Sequence, residues 1–179
     1  MIHVASVVAL PLLSLLAAGT PVTMDDYTSE APASWKEQPP RPMRFKTFTI
    51  PKAASDKFDG EVVVFFFGAG QGGDPQANLD RWKGMFEPPA GKKLEDISKT
   101  EKIKVSDVDV TVLDVKGTYK FKASPMAPGE PELRPDHRML AIIFASANGP
   151  YFIRFTGPEK LVAKNKKDFD RWLKGFKKK

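Results

Sequence analysis

Two apolar runs decide how this chain folds: Glu61-Val62-Val63-Val64-Phe65-Phe66-Phe67 and Met139-Leu140-Ala141-Ile142-Ile143-Phe144-Ala145. Each is short and rich in β-branched or aromatic residues, so each reads as a strand. A strand with no polar alternation has no face for water, and both runs must be covered on two sides. The neighbouring chain offers two covers. Asp74-Pro75 opens a helix, with Asp as N-cap and Pro at the first helical position. In it Leu79, Trp82 and Phe86 form one apolar stripe, and Gly84 and Pro88-Pro89 end it. A second helix starts at Gly157-Pro158-Glu159, with Val162, Phe169, Leu173 and Phe176 on a stripe reinforced by Trp172.

Working outward, Pro39, Pro40 and Pro42 forbid a helix after Trp35, and Arg44 to Ile50 alternates as a strand. Thr100 to Val105 and Val108 to Val115 form a hairpin about Ser106-Asp107. Lys116-Gly117 reads as a turn into Thr118 to Lys122. Residues 123–137 carry four Pro and no periodicity, which reads as a long loop. Asn148-Gly149-Pro150 turns the second apolar run into Tyr151 to Thr156. Short turns make most neighbours antiparallel. The expected architecture is α+β: a single antiparallel sheet of about six to seven strands with a helix packed on each face.

The chain has 179 residues and no Cys, which excludes a disulfide framework, Cys-ligated metal and a Cys nucleophile. Val4 to Gly19 is uncharged, apolar and shorter than the ~20 residues of a bilayer-spanning helix. Ending in the small residues Ala17-Ala18-Gly19, it reads as a secretory signal over residues 1–19, although Met1-Ile2-His3 lacks a base. Residues 20–34 are polar and acidic and read as a disordered linker, leaving residues 35–179 as one α+β domain. The expected location is exported, periplasmic or at the cell envelope, with membrane attachment only if the leader is retained.

The formal charge of +6 is concentrated at one end: residues 160–179 hold nine bases and two acids. Lys164, Lys166, Lys167 and Lys174 are the candidate contacts of this basic tail, with Lys177-Lys178-Lys179 as a frayed end. Such a tail suits an anionic envelope component or an acidic protein face; an exported protein is not expected to meet nucleic acid.

Gly68-Ala69-Gly70-Gln71-Gly72-Gly73 matches G-x-G-x-x-G after a strand and before a helix. No parallel strand follows, and Asp74-Pro75 places a carboxylate and a missing N–H where pyrophosphate would dock. No NAD or other cofactor is therefore expected. Gly68, Gly70, Gln71, Gly72 and Gly73 remain a candidate binding loop, since successive N–H groups can present a nest to an anion. Pro125, Met126, Pro128 and Arg134 mark a candidate second loop, expected to lie beside the first. No catalytic residue and no metal site is assigned. His137, between Asp136 and Arg138, reads as a surface residue, and Asp107, Asp109 and Asp114 lack the spacing of a calcium loop. Asp80-Arg81-Trp82-Lys83-Gly84 and Asp170-Arg171-Trp172-Leu173-Lys174-Gly175 echo each other, as two helices packing Trp on a sheet would by chance.

Several ordered segments carry a resemblance: Phe66 to Gly73 with Asn78 and Arg81-Trp82, Gly117-Thr118-Tyr119, Pro125 to Gly129, Arg138-Met139-Leu140 and Phe155 to Lys160. Over residues 35–176 the chain resembles a family of uncharacterised exported bacterial proteins of planctomycete type. Its element order resembles the PsbP-like fold, shared by a lumenal photosystem II subunit and a Ran-binding nuclear transport factor. Arg154 and the Lys-rich end depart from the pattern. The resemblance implies binding without catalysis, and the expected function is that of an exported domain that engages a protein or envelope partner. The alternative is a small carboxylate-based hydrolase or transferase with the glycine loop as anion site.

Overall fold

The computed structural model describes residues 18–123 and 128–179. The expected leader lies outside these residues up to position 17, as do Pro125 and Met126. In chain order the elements are β1 (Thr20–Met24), β2 (Tyr27–Ala31), β3 (Lys36–Glu37), β4 (Lys46–Ile50), β5 (Gly60–Phe66), α1 (Pro75–Lys83), β6 (Phe86–Glu87), a 3-10 turn (Leu94–Ile97), β7 (Ser98–Val105), β8 (Val108–Phe121), β9 (Glu132–Ser146), β10 (Gly149–Pro158), α2 (Glu159–Lys174) and β11 (Lys177–Lys178).

Eight strands form one antiparallel sheet in the order β3-β4-β5-β10-β9-β8, with β6 and β7 sharing the outer edge of the long β8. The two apolar runs, in β5 and β9, flank β10 at its centre. Val62, Val64, Leu140, Ile142 and Phe144 point to one core, Met139, Ala141 and Ile143 to another, as the two-residue period of a strand requires. Asp74 caps α1 by accepting from Ala77 N at 2.8 Å.

The expected sheet of six or seven strands with one helix for each face needs correction in number and in coverage. There are eight strands, and a second sheet of three, β1-β2-β11, lies apart from them. One core is covered jointly by α2 and the small sheet, through Val22, Met24, Tyr27 and Ala31. The other contains α1, β6 and the 3-10 turn. A nine-residue helix is too short to cover eight strands, and the far part of its face stays open.

The segment expected as a disordered linker folds as the β1–β2 hairpin. Val22, Met24, Tyr27 and Ala31 are buried, and the turn uses Asp25 at φ 51°. The Tyr27 hydroxyl donates to Asp107 Oδ1 at 2.6 Å, which raises its pKa to about 12 and holds the Asp107 carboxyl below its usual range. The end expected to fray is held as β11: Lys177 and Lys178 pair with Thr28 and Tyr27, and Lys179 N donates to Asp26 O at 2.9 Å.

Gly117 is not a turn but lies within continuous β8. A Cβ there would sit 2.7 Å from Glu87 O, so glycine lets β6 approach. The pairing then shifts, from Gly117 opposite His137 to Tyr119 opposite Arg134. The extra residue lies in β9, where Asp136 adopts φ 52°.

Candidate functional site

The open part of the α1 face is a shallow cleft of about 190 Å³. Its floor and walls come from Asp59 just before β5, Glu61 and Val63 on β5, Arg154, Thr156 and Gly157 on β10, His137 and Arg134 on β9, and Tyr119 and Phe121 on β8. Without the β9 irregularity at Asp136, strand alternation would put Arg134 and His137 on opposite faces. The extra residue brings both to the cleft.

Each cation here has a different environment. Arg44 Nη1 reaches Glu61 Oε1 at 2.7 Å. Arg134 Nη2 reaches Glu132 Oε2 at 2.7 Å, and its guanidinium lies 3.5 Å from the Phe121 ring centre and 4.1 Å from that of Phe58. It thus lies between two rings. Arg154, half-buried, forms no ion pair with any carboxylate among the described residues. Its neighbours are the Phe65 ring at 5.0 Å and Met85 Sδ, 3.6 Å from Nη1. Burial lowers its pKa from the ordinary guanidinium value, while a guanidinium stays protonated near neutrality. Arg154 is therefore a desolvated cation beside an open cleft.

His137 is buried, at 4% exposure, which corrects its reading as a surface residue. Its Nδ1 lies 2.8 Å from Pro135 O; a carbonyl only accepts, so Nδ1 carries the proton and Nε2 of the neutral ring is an acceptor. Burial holds its pKa below 6.5. The Tyr119 ring stacks on it, 6.1 Å between centres, and burial raises the pKa of the Tyr119 hydroxyl.

The residues singled out from sequence are not brought together. Arg134 reaches the cleft, from β9 and not from a loop. Pro128 is exposed in the connection between β8 and β9. The glycine loop leaves the far end of β5, near the Ser146–Gly149 turn, whereas the β8–β9 connection lies beyond the Gly60 end, about 20 Å away along the strand. The two loops expected to be neighbours thus sit at opposite ends of the sheet.

In the glycine loop, Gly68, Gly70, Gly72 and Gly73 all have positive φ, and Asn78 Nδ2 donates to Gly72 O at 2.8 Å. Gly72 packs so closely that a Cβ would lie 2.4 Å from the Phe152 ring. Lys164, Lys166, Lys167 and Lys174 lie on α2, across the sheet from the cleft. The three aspartates considered for calcium have other partners: Asp107 takes Tyr27, Asp109 pairs with Lys104 at 2.8 Å, and Asp114 accepts from Arg138 Nε at 2.8 Å.

Sequence reasoning missed Arg154, His137 and Tyr119 as a group. The signal was period two. In Phe152-Ile153-Arg154-Phe155-Thr156, arginine shares a face with Phe152, and His137 shares one with Met139 and Ala141.

The geometry defines an α+β fold of PsbP-like type. A solution structure of cyanobacterial PsbP (CyanoP) from Synechocystis sp. PCC 6803 superposes with a TM-score of 0.55 at 10% identity, covering 96% of this chain and 98% of that one. A Bacteroides thetaiotaomicron structure has a TM-score of 0.46 at 13% identity; the match covers 86% of this chain but only 45% of that one. A Pseudomonas aeruginosa protein of unknown function has a TM-score of 0.44 at 11% identity, covering 87% and 94%. No family model matches the chain, and no curated protein does. At these identities the likeness establishes the fold alone.

Proposed function

We propose that this chain is an exported binding domain without catalytic function, and that its cleft receives a carboxylate presented by a protein or envelope partner. The observation that carries this reading is Arg154, a half-buried guanidinium with no carboxylate partner among the described residues, facing an open cleft. A charge removed from water without a partner is costly, and a planar carboxylate matches the guanidinium fork. Val63, Tyr119 and Phe121 offer an apolar wall for the group bearing that carboxylate. Asp59 and Glu61 line the same cleft and repel a dianion, which favours a monoanionic carboxylate over a phosphate monoester. The reading in which the glycine loop serves as an anion hole for hydrolysis is less well supported, because that loop lies at the other end of the sheet.

The test is a titration of N-acetylphenylalanine and its neutral amide, followed by calorimetry in the parent protein and in the variant. Charge-assisted hydrogen bonds contribute about 1.5–3 kcal/mol, so the acid should bind about tenfold to a hundredfold more tightly than the amide. Arg154→Gln should abolish that difference. Equal binding of acid and amide, or a difference that persists in Arg154→Gln, would refute the assignment.

A further inference from the structure

The outer face of α2 carries a second feature that the cleft does not use. Lys160, Lys164, Lys167, Arg171 and Lys174 follow at steps of four, three, four and three, and all five are exposed. At 3.6 residues per turn they fall within an arc of about 80° and form a straight row about 21 Å long. The opposite stripe of α2, including Val162, Phe169 and Trp172, is buried in the core, so the row cannot rotate away from solvent. Arg171 pairs with Asp168 at 3.1 Å. Lys160, Lys164, Lys167 and Lys174 form no ion pair among the described residues.

We propose that this row is a binding track for a linear acidic polysaccharide. Successive cations at three- and four-residue steps lie about 5–6 Å apart at Cβ, a spacing that follows an extended chain of anionic groups. The width of the row separates a chain from a plane. Asp168 lies on one side, and Asp170, paired with Lys166 at 2.6 Å, on the other. A planar anionic membrane would meet these carboxylates, whereas a single polymer chain runs between them. Nucleic acid is disfavoured by a different absence: the exposed residue beside the row is Ala163, and bases find no aromatic side chain there to stack on. The composition agrees, since four of the five cations are lysines, which act as point charges and do not need bidentate geometry.

The test uses a heparin-derived octasaccharide and calorimetry from 50 to 200 mM NaCl. With about 0.7 counterions released per cation, as for single-stranded polyanions, the four unpaired lysines give a slope of log K against log salt near −2.8. Lys164→Gln/Lys167→Gln should reduce the slope to about −1.4 and weaken binding about tenfold at low salt. These side chains are exposed, so a melting curve matching that of the parent protein is expected alongside. Lys92→Gln/Lys93→Gln removes the same charge from the β6–β7 connection and should change affinity less than twofold. Equal losses in the two double variants would overturn the proposal, because net charge alone would then explain binding. Tighter binding of a single-stranded octanucleotide, or binding to phosphatidylglycerol vesicles without binding to the octasaccharide, would also overturn it.

Discussion

Phe176→Ala tests whether the end of the chain is structural. Phe176 has no exposed surface, and its ring centre lies 5.7 Å from that of Phe144 and 5.3 Å from that of Trp172. Its carbonyl accepts from Ser106 Oγ at 2.8 Å, which ties the β7–β8 turn to the segment after α2. A buried phenylalanine removes about 150–250 Å² from water, worth about 4–6 kcal/mol at 25 cal/mol per Å². Alanine retains part of that burial, and truncations of this kind cost ~3–5 kcal/mol. At about 2–4 °C per kcal/mol for a chain of this size, the melting temperature should fall by about 6–20 °C. Phe176→Leu keeps an apolar side chain and should recover more than half of the loss. The assay is thermal unfolding followed by near-ultraviolet circular dichroism, with urea midpoints as a second measure. A melting temperature within 2 °C of the parent protein would refute the reasoning and mark the end of α2 as peripheral.

The glycine loop and His137 give two further tests. Gly70→Ala meets no atom within 4 Å but sits at φ 68°, so it should cost about 1–2 kcal/mol; Gly72→Ala adds a 2.4 Å clash with Phe152 and should cost clearly more. Equal urea midpoints for the two variants would show that the loop does not pack on Phe152. His137 has a folded pKa below its ordinary 6.5, lowered chiefly by burial and also by Arg134, and opposed by Pro135, Asp136 and Glu132. Its neutral form contributes stability that is fully present above pH 6.5. That stability is lost as pH falls from there toward the folded pKa, because the unfolded chain takes up the proton first. His137→Phe should therefore lose less stability than the parent protein between pH 7.5 and 5.5, measured by urea unfolding; identical losses would exclude a buried neutral imidazole.

The fold was legible in sequence where the signal was local. The Asp74-Pro75 cap, the apolar runs of β5 and β9 and the α2 stripe each depend on a few adjacent residues. The β1–β2 hairpin was hidden because its alternation, Val22 and Met24 against Tyr27, Ser29 and Ala31, runs through polar and small residues. Its burial comes from α2 and β11, far along the chain; Ser29 Oγ donates to Trp172 O at 2.6 Å. The cleft was hidden for a different reason. Its residues come from β5, β8, β9 and β10, and the irregularity at Asp136 that aligns Arg134 with His137 follows from strand pairing. Proline and glycine content drew attention to the two loops, but that content marks turns as readily as binding surfaces.

The small sheet joins Thr28 to Lys177, about 150 residues apart in sequence. α2, packed on the same core as β1 and β2, is what brings Lys177 to Thr28 across so large a loop. The β1–β2 hairpin alone is marginal in water and gains its third strand from the far end of the chain. During synthesis the early hairpin is therefore an unfinished edge, exposed to chaperones and proteases until the C-terminal strand arrives. Opening that seam would release the β1–β2 hairpin and β11 together.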